Sequence, residues 1–287
     1  MDRPFLKRFS SITPPPRKRF GQHFLVDGNI AARIIETADV GSGETIVEIG
    51  PGRGALTGGL LDAGAAVVAI EIDRDIAAAL KERFAGTEGI DILCADALRF
   101  SYLDLAERCG GRLKVVANLP YNISTPILFR LLDERRAFTS LLLMLQREVA
   151  ERIVAGPGTK EYGVLTVFSQ LLADVRVEFH IPPSAFSPRP KVESSLVRFD
   201  ILDVPRVEVG DTALFKRVVR AAFGTRRKTV LNALKPLGFS RGELMGVLER
   251  AEIDPGSRGE TLTLAQFGHL SNLLGGEPGG GTGGGTA

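Results

Sequence analysis

Hydrophobic and polar positions alternate along residues 45–202 as short apolar runs separated by helical patterns. Seven runs have the length and composition of buried strands, and they lie at 45–50, 66–73, 90–96, 113–119, 140–145, 175–181 and 194–202. In Arg74–Phe84 the apolar residues recur at helical spacing, with Asp73 placed as the N-cap. Thr125 and Pro126 are likewise placed as the N-cap and first residue of a helix. This alternation predicts a mostly parallel sheet with helices on both faces. The last two strands lack a helix between them, which predicts an antiparallel edge.

The strand pattern stops after Pro205, and four short amphipathic patterns follow. They predict a small all-α domain. The final 13 residues include eight glycines, a composition typical of disordered chain. We therefore expect four regions, which are a flexible basic arm at 1–16, an α/β domain at 17–205, a helical domain at 206–274 and a disordered tail at 275–287.

Composition excludes several classes of protein. The 287 residues are 44% hydrophobic and 24% charged, and no apolar run approaches the ~18 residues of a membrane helix. Residues 1–20 lack the apolar core of a signal peptide. A mitochondrial presequence remains an alternative, although Pro14–Pro16 argue against a helix there.

The cysteines and histidines show no zinc-ligand spacing, so we expect no metal site. The two cysteines, Cys94 and Cys109, show no spacing typical of a metal site or a disulfide framework, which is usual for a protein of the reducing cytoplasm. A disulfide between them is the alternative. We expect a cytoplasmic protein.

Charge is unevenly distributed along the chain. Residues 1–20 contain six basic residues against one acidic, residues 21–205 contain 19 against 25, and residues 206–275 contain 11 against seven. From Leu214 to Val230 there are six basic residues and no acid. Basic ends around an acidic middle indicate a polyanionic partner, although an ordinary solvated surface explains the same charges.

A glycine-rich turn follows the first strand of the pattern. Gly50, Gly52 and Gly54 allow a sharp turn and a close approach of the backbone to a ligand at a helix N-terminus. Glu71 ends the next strand, 21 residues after Gly50, where a carboxylate can accept hydrogen bonds from both ribose hydroxyls. Asp96 ends the strand after that and could accept from an adenine amino group. Three strand ends at one sheet edge predict a nucleoside pocket, for a nicotinamide cofactor or S-adenosylmethionine.

Asn118, Pro120 and Tyr121 follow the fourth strand, at the same edge. The exocyclic amine of adenine is a poor nucleophile because its lone pair is delocalised into the ring. Acceptors at the Asn118 side chain and the Leu119 carbonyl would bind both amine hydrogens and favour a pyramidal nitrogen. Tyr121 offers a face for stacking the base, worth roughly 1–3 kcal/mol. This arrangement favours methyl transfer, whereas a simple cap and turn would explain the asparagine and proline but not the tyrosine.

The stretch NLPYNISTPILF (118–129) resembles the fourth motif of the ribosomal RNA adenine N6,N6-dimethyltransferases, a class I S-adenosylmethionine-dependent family. Other segments resemble the same family, namely GQHFL (21–25), EIGPGRGALT (48–57), FSPRPKVESS (186–195), FGTRRKTVLNAL (223–234) and RGETL (258–262). The last two resemble signatures of the small-subunit branch. The resemblance covers about residues 17–274 and implies the class I methyltransferase fold, a Rossmann-like sheet of seven mostly parallel strands.

The resemblance also implies roles for individual residues. Cofactor contacts are implied for His23, Leu25, Gly50, Glu71, Asp96 and Asn118, to which the glycine turn adds Gly52. Asn118, Leu119, Tyr121 and Phe186 are the candidate catalytic residues, with Tyr121 and Phe186 holding the target base. RNA contacts are implied for Arg17, Lys18, Arg19, Arg226, Arg227 and Lys228. His23 departs from the asparagine often found at its position, although its ring can still donate one hydrogen bond.

The expected function is dimethylation of two adjacent adenosines in the 3′-terminal hairpin loop of 16S rRNA. The expected cofactor is S-adenosylmethionine, and the expected partner is 16S rRNA in the 30S subunit or its precursor, bound by a monomer with no membrane contact. Three alternatives stay open. They are a 23S rRNA adenine methyltransferase of the macrolide-resistance type, a non-catalytic assembly or transcription factor, and an NAD-dependent oxidoreductase. The last is disfavoured because none of the three histidines sits at a predicted strand end facing the pocket.

Overall fold

The computed structural model describes residues 22–225 and 227–276. The expected arm at 1–16 and residues 277–287 of the expected tail lie outside these ranges. By residue contacts the described chain forms two units, the first comprising 22–150 and 174–203, and the second comprising 151–173 and the described residues from 204 onward. Within the described ranges, no helix is long and apolar enough to cross a bilayer.

The elements alternate along the chain much as the hydrophobic pattern predicts. The first eleven are β1 (Phe24–Leu25), α1 (Gly28–Ala38), β2 (Thr45–Ile49), α2 (Thr57–Asp62), β3 (Ala66–Glu71), α3 (Arg74–Arg83), β4 (Ile90–Cys94), α4 (Tyr102–Arg108), β5 (Leu113–Asn118), α5 (Ser124–Asp133) and β6 (Phe138–Gln146). The remaining nine are α6 (Arg147–Val154), α7 (Val164–Leu172), β7 (Ala173–Ile181), β8 (Phe186–Ser187), β9 (Ser194–Ile201), α8 (Thr212–Gly224), α9 (Val230–Leu234), α10 (Arg241–Arg250) and α11 (Leu264–Gly275).

Seven strands form one sheet in the order β4-β3-β2-β5-β6-β9-β7. The pairings β3–β4, β2–β3, β2–β5 and β5–β6 are parallel. β9 runs antiparallel to β6, from Ser140↔Asp200 to Gln146↔Ser194. The predicted seven-stranded, mostly parallel sheet is therefore confirmed. Because β9 is antiparallel, its first residue lies at the same edge as the carboxyl ends of the parallel strands.

The central strands are buried on both faces. In β2, Ile46, Val47 and Ile49 are at most 2% exposed, and the same is true of Glu48 between them. This is why the central strands appear as continuous apolar runs rather than alternating ones. Cys94 and Cys109 are both exposed free thiols, so the alternative of a disulfide between them is wrong.

Helix starts test the predicted caps. The Asp73 side chain accepts from the Asp75 backbone N–H at 3.1 Å, which confirms the cap of α3. The expected start of α5 is wrong, because the helix begins at Ser124 and Pro126 is its third residue. That position is still allowed, since the first backbone N–H groups of a helix have no intrahelical acceptor.

A second, two-stranded sheet was not predicted. β1 and β8 pair antiparallel, with Phe24 opposite Ser187 and Leu25 opposite Phe186. Strands of two residues are too short to show a periodicity. This sheet joins two segments that are more than 160 residues apart in sequence.

The second unit is built around α8, whose buried residues Leu214, Phe215, Val218, Val219 and Ala222 form one apolar face. This helix contacts α7, α9 and α11. The contact with α7 places residues 151–173 in this unit, although the sequence pattern assigns them to the α/β domain. α11 extends to Gly275, one residue beyond the expected end of the helical domain.

Candidate functional site

A cleft with about 710 Å³ of empty space lies at the carboxyl edge of the large sheet. Its walls follow four adjacent strands, through Ile49, Gly50 and Gly52 after β2, Ile70, Glu71 and Ile72 at β3, Ala95, Asp96 and Ala97 after β4, and Asn118, Leu119, Pro120 and Tyr121 at β5. Gln22 and His23, which precede β1, and Phe24, its first residue, also line the cleft, and we call these three residues the covering segment. The strand-end residues predicted from the sequence are thus brought together in one cleft, because carboxyl ends of parallel strands share an edge.

The glycine turn after β2 needs glycine for two separate reasons. Gly50 and Gly52 have φ values of +68° and +55°, in the left-handed region that favours glycine. A Cβ on Gly52 would also lie 2.8 Å from the ring of Phe24. The segment around β1 therefore packs directly on the turn.

Glu71 is held by two backbone donors. Its carboxylate accepts from the Asp73 N–H at 3.0 Å and from the Gly52 N–H at 3.4 Å. Burial raises the pKa of Glu71, although these hydrogen bonds act in the opposite direction. A carboxylate has about four lone-pair positions, so these donors leave room for a ribose hydroxyl.

Asp96 occupies the neighbouring strand end and is half-buried. Its Oδ1 accepts from the Leu98 N–H at 3.0 Å, and its Oδ2 lies 3.8 Å from the Nε of exposed Arg99. The side chain is therefore oriented by its own turn. It lies in the same cleft as Glu71, as a nucleoside pocket requires.

The amide of Asn118 has a defined orientation. Its Nδ2 donates to the backbone carbonyl of His23 at 2.9 Å. The Oδ1 atom is consequently the end that can accept a hydrogen bond from a ligand. Leu119 also lines the cleft, although the residue as a whole is only 1% exposed.

Tyr121 and His23 form a stacked pair of rings, with centroids 5.3 Å apart and planes at 29°. The Tyr121 hydroxyl forms a hydrogen bond of 2.6 Å with Ser194 Oγ. Burial raises the pKa of Tyr121, so the phenol stays neutral. His23 Nδ1 lies 2.7 Å from the carbonyl oxygen of Pro188, and because a carbonyl only accepts, Nδ1 carries the hydrogen.

His23 changes two expectations. Its ring does donate one hydrogen bond, but to the Pro188 carbonyl, so Nδ1 is not available to a ligand and Nε2 is the nitrogen left for one. The argument against an oxidoreductase considered only histidines at predicted strand ends, and it therefore left out His23, which lines the cleft. The family resemblance implied a cofactor contact for His23, but the strand pattern did not show it, because His23 precedes a strand of only two residues.

Leu25 and Phe186 are not brought into this cleft. They are 4% and 3% exposed, and they pair with each other in the β1–β8 sheet. Phe186 packs in the hydrophobic core with Phe24. The expectation that the Phe186 ring holds the target base is therefore not met in this structure, and the ring that stacks on Tyr121 is that of His23.

A smaller adjoining cleft of about 300 Å³ contains a residue that the sequence reasoning missed. It is lined by Leu25, Glu48 and Arg53 together with parts of the glycine turn. Glu48 is 2% exposed, and its Oε2 accepts from Thr57 Oγ1 at 2.6 Å. Burial raises the pKa of Glu48 to about 7. The only sequence signal was a charged residue inside an apolar strand.

The charges around the main cleft distinguish between cofactors. Of the described residues that line it, none is lysine or arginine, and two are carboxylates. Such a surface suits a nucleoside without phosphates and a positively charged reactive centre. It is less suited to the pyrophosphate of a dinucleotide.

The basic residues expected to contact RNA are only partly described. Arg227 and Lys228 are exposed in the second unit. Arg17, Lys18, Arg19 and Arg226 lie outside the described residues.

Comparisons with known proteins give a consistent result. The model of the family described as ribosomal RNA adenine dimethylase matches residues 15–274. Two curated relatives are named ribosomal RNA small subunit methyltransferase A. The one from Geobacter sulfurreducens is 49% identical over 264 residues, covering 90% of this chain and 95% of the relative. The one from Magnetococcus marinus is 48% identical over 257 residues, covering 90% and 91%.

Two solved structures are similar over most of their length. A dimethyladenosine transferase from Plasmodium falciparum is 27% identical with a TM-score of 0.72, covering 86% of this chain and 96% of that one. The 23S rRNA methyltransferase ErmE is 25% identical with a TM-score of 0.67, covering 88% and 99%.

Proposed function

The chain belongs to the ribosomal RNA adenine dimethylase family, and from this premise we propose that it dimethylates the N6 amines of two adjacent adenosines in the 3′-terminal hairpin loop of 16S rRNA. It is an rRNA adenine dimethyltransferase and uses a cofactor of the S-adenosylmethionine type. We propose that its partner is 16S rRNA in the 30S subunit or its precursor, and that it acts as a cytoplasmic monomer. The observation that carries the proposal is the placement of Asn118–Tyr121 in the same cleft as Glu71 and Asp96.

We assign the cofactor to the main cleft. Glu71 would accept from the ribose hydroxyls, Asp96 from the adenine amine, and the turn of Gly50 and Gly52 would approach the ligand through its backbone. Asn118 and the His23 Nε2 atom are the polar groups on the opposite wall, and Leu25 would contribute from the smaller cleft. When bound, such a cofactor supplies an electrophilic methyl group on a positively charged sulfur.

The chemistry of the protein is positioning and polarisation of the amine. Asn118 Oδ1 accepts one amine hydrogen, and the Leu119 carbonyl accepts the other. Both acceptors favour a pyramidal nitrogen whose lone pair points at the methyl group. Tyr121 stacks on the purine. Transfer would form a nitrogen–carbon bond while the carbon–sulfur bond of the sulfonium breaks, so that a neutral thioether leaves and the amine proton passes to water. A second transfer requires that the same site admit a monomethylated amine.

The target base must leave its stack before it can enter the cleft. Extrusion of a base costs a few kcal/mol and less when the base is unpaired. A hairpin loop therefore lowers this cost. We propose that Arg17–Arg19 and Arg226–Lys228 bind phosphates of the RNA around the site.

The rival within the same fold is methylation of 23S rRNA, as the name of the ErmE structure indicates for that protein. The RRKT and RGETL segments and the names of the curated relatives favour the small subunit. The test is to incubate the purified protein with labelled S-adenosylmethionine and either unmethylated 30S particles or 23S RNA. We expect the 30S particles to yield dimethyladenosine, which is identified by mass spectrometry of the digested RNA. Transfer to 23S RNA alone would overturn the proposed substrate, and cofactor binding without any transfer would overturn the enzymatic reading.

A further inference from the structure

The loop between β8 and β9 contains two cations outside the groups assigned above. We call residues 188–193, with the sequence PRPKVE, the rim loop. Arg189 and Lys191 are exposed, and neither forms an ion pair with another described residue. The one acid of the loop, Glu193, is already paired with the Arg147 guanidinium at 2.7 Å. The loop therefore presents unneutralised positive charge.

Both ends of the rim loop are attached to walls of the main cleft. At the start, the Pro188 carbonyl accepts from His23 Nδ1 at 2.7 Å. Just after the end, Ser194 Oγ forms its 2.6 Å hydrogen bond with Tyr121. The Arg147 backbone N–H also donates to the Glu193 carbonyl at 3.0 Å. The loop is thus held at several points and borders the cleft beside the ring that we assign to the target base.

The sheet order separates this positive charge from the acids of the cleft. Along the carboxyl edge, Asp96 follows β4 and Glu71 ends β3, on one side of the central strand β2. On the other side come Asn118 at the end of β5, and then β6 and β9, where Ser194 lies opposite Gln146. The acidic half suits the nucleoside of the cofactor. The rim loop lies on the half where the extruded base would enter.

We propose that Arg189 and Lys191 bind the phosphates that flank the target adenosine. This inference rests on the proposed function and specifies where the RNA backbone meets the methyltransferase unit. The two residues are at most about 7 Å apart along the chain, a separation that suits successive phosphates of one strand. Their charge is local, because residues 21–205 as a whole carry more acids than bases.

The test compares two double variants of the full chain. Arg189→Gln with Lys191→Gln removes the rim charge. The control, Lys81→Gln with Arg108→Gln, removes the same charge from exposed positions in the last turns of α3 and α4. Those turns lie at the opposite edge of the sheet, because each helix returns the chain to the start of the next parallel strand. Binding to unmethylated 30S particles is measured by filter retention at constant Mg²⁺ and varied KCl.

We expect the rim variant to bind on the order of tenfold more weakly at 0.1 M salt, with a log–log salt slope shallower by about 1.4, as for two phosphates on a single strand. The control should bind within about twofold of the wild type, and cofactor affinity should be unchanged in both. A charge-preserving swap, Arg189→Lys with Lys191→Arg, should restore binding. Wild-type affinity and slope in the rim variant would overturn the inference while leaving the function intact. Failure of the wild-type protein to bind or methylate 30S would overturn both.

Discussion

Asn118 acts through both ends of one amide. The nitrogen donates to the carbonyl of His23, and this contact directs the oxygen toward a ligand. The residue therefore links the covering segment to the acceptor on which the proposed chemistry depends. Neither end is replaceable by an apolar side chain.

We predict that Asn118→Ala lowers the single-turnover rate of methyl transfer by about 10²–10³-fold, the loss typical when one preorganised polar contact to the reacting group is removed. The rate is measured with labelled cofactor on 30S particles. The matched control is Asn122→Ala, four residues later and exposed, which should retain the wild-type rate. Equal rates for the two variants would contradict the assigned role.

Glu48 makes stability depend on pH. Burial raises its folded-state pKa to about 7 from an ordinary value of 4.5. Between these values the unfolded chain has lost the proton and the folded chain keeps it. The contribution of Glu48 to stability is therefore full below about pH 4.5, and it is lost as pH rises to about 7.

We predict that Glu48→Gln removes this dependence. The unfolding free energy of the variant minus that of the wild type should rise between pH 5 and 7 by on the order of 2 kcal/mol, and it should level off near pH 8. Urea unfolding at pH 5, 6, 7 and 8 measures it, with Glu82→Gln at an exposed position as the control. If the difference in unfolding free energy does not vary with pH, the pKa of the Glu48 carboxyl is not raised in the folded protein.

At the scale of elements, the glycine turn and the β1–β8 sheet depend on each other. The turn supplies the space that the Phe24 ring occupies, and the pairing of Leu25 with Phe186 holds that ring in place. The segment around Phe24 is thus held between two segments that are far apart in sequence, the glycine turn and β8.

Gly52→Ala tests this packing. We predict that cofactor affinity falls by about tenfold or more, because the new Cβ would meet the Phe24 ring at 2.8 Å and displace the covering segment. Gly86→Ala is the control, since its φ is also positive at +76° but nothing lies within 4 Å of the added Cβ. Both variants should lose about 1 kcal/mol from backbone strain. Cofactor affinity is measured by calorimetric titration. Equal affinities of the two variants would show that the contact between Gly52 and Phe24 does not shape the cofactor site.

At the scale of the whole molecule, the cleft assigned to the cofactor and the longest acid-free basic stretch belong to different parts of the chain. The main cleft is lined by residues of the first unit, and its charged lining residues are acids. The acid-free stretch from Leu214 to Val230 belongs to the second unit. Binding of RNA and binding of cofactor should therefore respond to different substitutions.

We predict that Arg226→Ala with Arg227→Ala weakens binding to 30S particles and flattens its salt dependence, because fewer phosphates are neutralised. Cofactor affinity should remain at the wild-type value. The control is Arg241→Ala with Arg250→Ala on α10, outside the acid-free stretch. The prediction fails if both pairs change the salt slope equally.

The sequence by itself determined the seven strands of the sheet, the glycine turn and the shared edge of Glu71, Asp96 and Asn118. These features depend on local periodicity and on the rule that parallel strands end at one edge, so they can be inferred residue by residue. The motifs identified the family from the sequence because each of them is a contiguous stretch of residues.

Only the tertiary structure decided which rings and charges meet. The stacking of His23 on Tyr121, the burial of Phe186, the pairing of β1 with β8 and the grouping of residues 151–173 with α8 all join distant segments. No periodicity encodes such contacts, because each depends on how complete elements pack against one another. The raised pKa of Glu48 has the same origin, since desolvation is a property of the surrounding fold and not of the residue.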